Sequence, residues 1–321
     1  MTLAVALLFG ALFVLWLAPS ALTGSLQWRL EPQAALTAWL LLVTSTFLTL
    51  VAAVVVSLLP GHGPAQWIGE RVQHCWVAVT HGELPRLETL SGLAGVTLLA
   101  ITSLRVLLAA ATRVRLLRSM HRKHVDLLQG IARVEPGRYP LLWLEYPQPV
   151  AYSVAGCGAP QPVIVASRAL TDRLPAPEVA AVLDHERAHL RGRHHLLVGL
   201  AEALAAALPR LPLMRTSPVL IRTLVELAAD HAAARIHGPA AVHAALVAMG
   251  TDGAPGHSLA MGRDAVSVRL RWLEAAKPIG RVRRMVTAAL AGISAALAPA
   301  AVGAAALAVA GLMTCASLAL S

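Results

Sequence analysis

The chain is poor in cysteine and poor in charge, and each scarcity narrows what it can be. Its three cysteines, Cys75, Cys157 and Cys315, are widely spaced and form no CxxC pair, which excludes a disulfide scaffold and a cysteine-built zinc module. Cys157 sits in a Gly-Cys-Gly turn without the context that marks a nucleophile. Charged residues are 14% of the 321 positions while apolar residues are 57%, too greasy a balance for a soluble enzyme of this size. There is no internal repeat, no nucleotide-binding glycine loop and no long disordered linker. A helix-turn-helix, zinc-finger or RNA-binding signature is also missing, so the formal net charge of +10 does not point to direct nucleic acid binding.

Long apolar runs are present instead. Four segments, Leu3 to Leu22, Ala34 to Leu59, Leu87 to Ala111 and Thr287 to Leu318, reach the roughly 20 residues that a spanning helix needs. The first has no basic n-region and is followed by further spans, so it reads as a retained helix rather than a cleaved signal peptide. The organisation that follows is three transmembrane helices in 1–111, one polar domain in 112–286 and a fourth transmembrane helix in 287–321. The middle stretch holds 23 of the 27 Lys and Arg and 13 of the 17 Asp and Glu, so the whole net charge resides there. Arg113, Arg115, Arg118, Arg122 and Lys123 flank the third span, and Arg281, Arg283 and Arg284 the fourth. The positive-inside rule then places the domain in the cytoplasm and both termini and the loop 60–86 outside, a multi-pass protein of the cell membrane. These clusters suit anionic lipid headgroups as partners. The run Arg269-Leu270-Arg271-Trp272-Leu273 reads as an amphipathic helix at the membrane surface.

Within the polar domain, His185-Glu186-Arg187-Ala188-His189 spells HExxH. On a helix, residues four apart share a face, so both imidazoles can meet one metal ion while Glu186 stands beside them as a base for a zinc-activated water. A helix is expected from Pro175 and Pro177, with Glu178 in its first turn, a stripe of Val179, Val182, Leu183 and Leu190, and an end at Gly192.

A tetrahedral zinc centre needs a third protein ligand, and there are two candidates. His195 completes HExxHxxGxxH, in which Gly192 lets the chain turn a third histidine toward the metal; the Met-containing turn of that pattern has Met214, Met249 and Met261 as unremarkable options. Glu226 lies in Glu226-Leu227-Ala228-Ala229-Asp230, within a second helix expected to open at Ser217-Pro218 and close at Gly238. Glu226 is preferred, because Asp230 four residues on can accept the free N–H of a ligand histidine; His195 is the alternative ligand.

Upstream, Leu141 to Tyr146, Val150 to Val154 and Pro162 to Ala166 read as short strands of a small sheet. An edge strand in it, at Ala151-Tyr152-Ser153 or Val163-Ile164-Val165, could hold an extended substrate by main-chain pairing. Arg235, His231, His243 and His257 are open as oxyanion partners. His62, His74 and His81 cluster in the expected outer loop and could bind a metal or sense pH, though scattered loop histidines usually do neither.

Together, the spans and the HExxH…ExxxD pair resemble the BlaR/MecR family of membrane metallopeptidases, related in the catalytic domain to HtpX and the CAAX prenyl proteases. The stretch from Ala151 to Leu170 also looks like that family's strand pair. The resemblance implies a mainly α membrane protein with a cytoplasmic α+β, gluzincin-like zincin domain inserted between helices 3 and 4. It implies one zinc ion held by His185, His189 and Glu226, Glu186 as base and Asp230 orienting a ligand. The best-known members carry a penicillin-binding sensor domain after the fourth span, whereas this chain stops at Ser321, so sensing is expected through the spans, the outer loop or a partner.

The expected function is a zinc endopeptidase cutting a cytoplasmic or juxtamembrane protein, with a transcriptional repressor as the substrate class the resemblance suggests. Two readings stand beside it: an HtpX-like quality-control protease, and a non-enzymatic membrane sensor or scaffold with a vestigial zinc site. A homo-oligomer stays open among the partners.

Overall fold

The computed structural model describes residues 2–21, 31–58, 85–155, 161–251, 259–275 and 281–319. Three long helices come first: α1 (Thr2–Ala21), α2 (Pro32–Leu58) and α3 (Pro85–Gln129). A sheet of β1 (Arg133–Glu135), β2 (Leu141–Leu144), β3 (Ala151–Val154) and β4 (Val163–Ser167) follows. The remainder is helical: α4 (Arg168–Arg173), α5 (Ala176–Arg191), α6 (His194–Ala207), α7 (Pro212–His237), α8 (Pro239–Thr251), α9 (Leu259–Ala275) and α10 (Arg281–Ala319).

Four of these helices are long and apolar enough to cross a membrane, over Leu3–Ser20, Pro32–Ser57, Leu93–Ser119 and Met285–Leu312. Each closes its own backbone hydrogen bonds and turns large apolar side chains outward, among them Phe9, Leu12, Trp16, Leu98, Leu107 and Leu290. Lipid tails give little drive for such helices to associate, so close backbone approach matters. Here α1 and α10 cross at glycines: a Cβ on Gly10 would fall closer than 3.0 Å to Pro299 O and Gly303 N, and one on Gly303 equally close to Ala6 O. Ser45 of α2 adds a hydroxyl bond of 3.1 Å to the Ala295 carbonyl.

The helices do not stop where the hydropathy does. α3 is a continuous 45-residue rod, about 68 Å at 1.5 Å per residue, and passes through residue 111, where the sequence suggests a domain edge. α10 likewise starts at Arg281, ahead of 287. Arginine and leucine are both good helix formers, so a change from apolar to basic shifts solvent and leaves the helix intact.

The sheet has the order β1-β2-β4-β3, with β2 and β4 parallel and the outer pairs antiparallel. Strands β2, β3 and β4 fall where the sequence places them. β1 is extra: three exposed residues without alternation give a periodicity argument nothing to work on. β4 is buried throughout and splits its side chains by parity. Val163 and Val165 pack on Val125 and Leu128 of α3, whereas Ile164 and Ala166 pack on Val179, Val182, Leu183 and Leu190 of α5. The inner strand thus fixes α5 in place, and the edge strand β3 lies along the same helix.

α7 begins at Pro212, five residues ahead of the expected Ser217-Pro218 start, and Pro218 lies inside it. The Thr216 and Ser217 hydroxyls bond the carbonyls of Pro212 and Leu213 at 2.9 and 2.6 Å in the turn before the proline ring. The Trp39 indole N–H of α2 donates to Ser217 Oγ at 2.8 Å, and both residues are fully buried. Around them Val14, Leu15, Leu36, Trp39 and Leu42 of the first two helices share one core with Ala201 and Leu204 of α6 and Leu213, Ile221, Leu224, Val225 and Ala228 of α7. Part of the segment 112–286 is therefore built onto the apolar helices.

At the other end, α8 and α9 close over α5 and α7 through Ala181, Ala233, Val242 and Leu273. This corrects the reading of Arg269 to Leu273 as a membrane-surface helix: Leu273 is buried in that cluster and Arg269 points into the interior described next.

Candidate metal centre

Pro175 caps α5, a proline follows in its first turn, Glu178 stands near its N-terminus and Gly192 is its C-cap, as the local signals dictate. With the apolar stripe locked on β4, His185 and His189 come out one turn apart on the face toward α7, their Nε2 atoms 3.1 Å apart. α7 presents Glu226 and Asp230 one turn apart to the same place. Glu226 Oε2 is 3.5 Å from His185 Nε2, and Oε1 is 3.5 Å from His189 Nε2.

These three side chains form a group that could hold a metal ion. With bonds of about 2.0–2.1 Å, tetrahedral zinc holds its donors about 3.3 Å apart. The observed edges of 3.1, 3.5 and 3.5 Å bracket that spacing. Two imidazoles and one carboxylate, on two helices that pack together, are a donor set that fits zinc.

Asp230 is completely buried and accepts the His185 Nδ1–H at 2.9 Å, which turns Nε2 toward Glu226. Arg269 of α9 grips the same carboxylate through Nε and Nη2, both at 2.7 Å, and reaches Glu226 through Nη1 at 3.2 Å. Burial disfavours the ionised form of Asp230, but the hydrogen bonds from Arg269 and His185 outweigh it and hold the group at about 2. Glu226 is treated alike: burial pushes up, His185 and Arg269 pull down, and it settles at about 2. His185 feels burial downward but its bonds to Asp230 and Glu226 lift it to about 9, while burial takes His189 down to about 4.

Glu186, the next residue after His185, is raised above the ordinary glutamate value by burial, which prevails over the His185 charge and hydrogen bonds from the Ser153 hydroxyl and backbone N–H. Ser153 belongs to the edge strand β3, so the carboxylate and the strand meet.

Two residues of the site carry no motif in the sequence. Arg269 is one. The other is His194, whose Nδ1 stands 3.0 Å from His189 Nδ1 and whose ring meets that of His189 edge-on. Burial lowers His194 to about 4. The adjacent His195 is not in the metal group: its Nδ1 is buried without a hydrogen-bond partner. Among the oxyanion candidates, His231 pairs with Glu31 at 3.1 Å and His243 with Glu274 at 3.5 Å, and Arg235 is exposed. His257, Met261, Cys157 and the histidines at 62, 74 and 81 fall outside the residues whose side chains are described.

Residues 118–250 match the family model of Peptidase family M48. The matched segment contains the sheet, α5 and α7, and with them HExxH and Glu226. Members of that family are zinc metallopeptidases, so the match, with four apolar helices long enough to span a bilayer, implies a membrane-associated zinc metallopeptidase. No curated protein matches the chain, and no solved structure does.

Proposed function

We propose that the chain is a membrane-embedded zinc endopeptidase in which His185, His189 and Glu226 hold one zinc ion, Glu186 is the general base and Asp230 orients His185. The convergence of the three donor side chains from α5 and α7 at tetrahedral spacing carries this reading. When bound, zinc supplies Lewis acidity to water and to the scissile carbonyl.

The protein's own groups do the rest. Asp230 fixes the His185 tautomer by accepting the Nδ1–H hydrogen bond. Arg269 sets one positive charge against both the buried Asp230 and the half-buried Glu226 carboxylates, which favours their ionised forms. Glu186 takes the proton of the attacking water and delivers it to the leaving amine; its raised proton affinity suits both halves of that transfer. β3 pairs with β4 along one edge, and we assign its other edge, next to Glu186, to a substrate strand held by main-chain hydrogen bonds.

The substrate we assign is a cytoplasmic or juxtamembrane protein, with a transcriptional repressor suggested by the BlaR/MecR resemblance. Sidedness follows from Arg115, Arg118 and Lys123 at the end of the third span; these and their neighbours are also the groups we assign to anionic headgroups. Arg113 of the same cluster is engaged by Glu202 at 2.8 Å. Glu31, at the start of α2, meets His231 of α7, which supports placing the loop between the first two spans on the catalytic side.

The test is zinc content of purified wild type, Glu226→Ala and His195→Ala, with proteolysis of an unstructured model substrate in parallel. One zinc per chain, lost with Glu226→Ala and kept with His195→Ala, is expected. Zinc lost only with His195→Ala would reassign the third ligand, and a wild type without zinc would overturn the peptidase reading.

A further inference from the structure

A metal-binding histidine uses one ring nitrogen on the ion, and the proton on the other must find an acceptor or the ring is free to swing. For His185 that acceptor is Asp230. His189 has no carboxylate at its Nδ1; among the described residues the atom that faces it is Nδ1 of His194, at 3.0 Å.

The chain between them is shaped for this contact. α5 ends at Arg191 and α6 starts at His194, so the two residues Gly192 and Arg193 must fold the chain back on itself. Arg193 does so with φ +49°, the left-handed region that non-glycine residues seldom adopt. Gly192 has an ordinary helical φ of −77°, so its lack of a side chain serves space: a Cβ there would come closer than 3.0 Å to Nε2 and Cδ2 of His194. The His194 ring thus occupies the volume that Gly192 leaves open and is buried there, 7% exposed. A backbone conformation of this kind persists only where surrounding structure enforces it.

We infer that His194 is a positioning residue for the metal centre, accepting the Nδ1–H of His189 on its own Nδ1 and so aiming His189 Nε2 at the ion. The assignment requires the proton of neutral His194 to sit on Nε2. It also gives the two histidine ligands unlike supports, a buried carboxylate for His185 and an uncharged ring for His189, which limits the anionic charge gathered around Glu226, Asp230 and Glu186. Neighbouring His195 cannot replace it, since its Nδ1 is buried without a partner.

The inference depends on the zinc assignment above, and the experiment separates the two. Zinc affinity of the full-length protein in detergent is measured by competition with a chromophoric chelator for wild type, His194→Ala, His194→Asn and Gly192→Ala, together with thermal unfolding of the zinc-free forms. His194→Ala is expected to weaken zinc binding 10- to 100-fold, the range seen when a ligand's hydrogen-bond partner is removed. His194→Asn, whose side-chain oxygen still accepts, should recover part of the loss. Gly192→Ala keeps the histidine but displaces its ring and should weaken binding like His194→Ala. Unchanged affinity in His194→Ala, or a loss in all three variants matched by lower melting of the zinc-free proteins, overturns the inference while leaving the peptidase reading intact. A wild type that binds no zinc overturns both.

Discussion

Replacing Arg269 with methionine isolates the ion pair that the sequence conceals. The Arg269 side chain is 17% exposed and that of Asp230 0%, and the two bonds between them are 2.7 Å each. Removing one partner of such a buried pair strands a charge and costs roughly 3–5 kcal/mol. His185 still donates to Asp230 at 2.9 Å, so the lower end, about 3 kcal/mol, is the expected loss for zinc-free protein at neutral pH. The loss must also vary with pH in a fixed direction. In wild type the Asp230 carboxyl is held at about 2, below its unfolded value of about 3.9. It therefore contributes stability that is fully present above the unfolded value and is lost as pH falls through about 2. Without Arg269 its main stabilising cation is gone and proton uptake moves upward. The deficit of the variant should then be largest near pH 7 and shrink toward pH 4. Urea unfolding of both proteins in the same detergent across that range measures it. A deficit under about 1 kcal/mol, or one independent of pH, would refute the picture of a desolvated pair.

Three further outcomes are expected. Glu186→Gln should retain zinc and lose about 10²–10⁴-fold in kcat; a variant that stays active would remove Glu186 from the chemistry. If Glu186 is the base, as proposed, its unprotonated carboxylate is the active form; burial raises Glu186, so proteolysis should rise with pH with a midpoint above the ordinary glutamate value of about 4.3. A midpoint at or below that value would contradict its burial. Trp39→Phe deletes the donor to Ser217 and should cost about 1 kcal/mol in thermal or urea unfolding, while a neutral result would mean that α2 and α7 are not coupled through this bond.

What could be read from the sequence was local. HExxH lies on one helix, whose proline start, apolar stripe and glycine end are all within eighteen residues, so spacing alone sets the two imidazoles on a face. Glu226 and Asp230 could be paired by the same periodicity, and three of the strands announced themselves as short apolar runs separated by prolines and glycines. Arg269 could not be read. Its partner Asp230 is 39 residues back, and one arginine among basic neighbours looks like a surface charge until α9 is docked. His194 was hidden beside His195: the HExxHxxGxxH spacing draws attention to the second of the pair, while the left-handed turn at Arg193 brings in the first. The shared core was also out of reach, because an amphipathic pattern in α6 and α7 says that a face is buried and not what covers it. α3 and α10 run through residues 111 and 287 without a break for a related reason, since hydropathy reports the surroundings of a helix rather than its ends.

The core that joins Trp39 and Leu36 to Ile221 and Val225 has a consequence for which proteins the site can meet. Under the proposed reading, a site whose α7 shares a core with the membrane-spanning helices works in the layer next to the bilayer. For a polypeptide tethered to the same membrane, encounter is governed by the tether, with an effective concentration on the order of millimolar when the link is short and flexible, falling as the link lengthens. A freely diffusing protein arrives only at its bulk concentration. The length of linker between a substrate's anchor and its scissile bond then becomes a selection rule that operates ahead of any preference for residues around that bond.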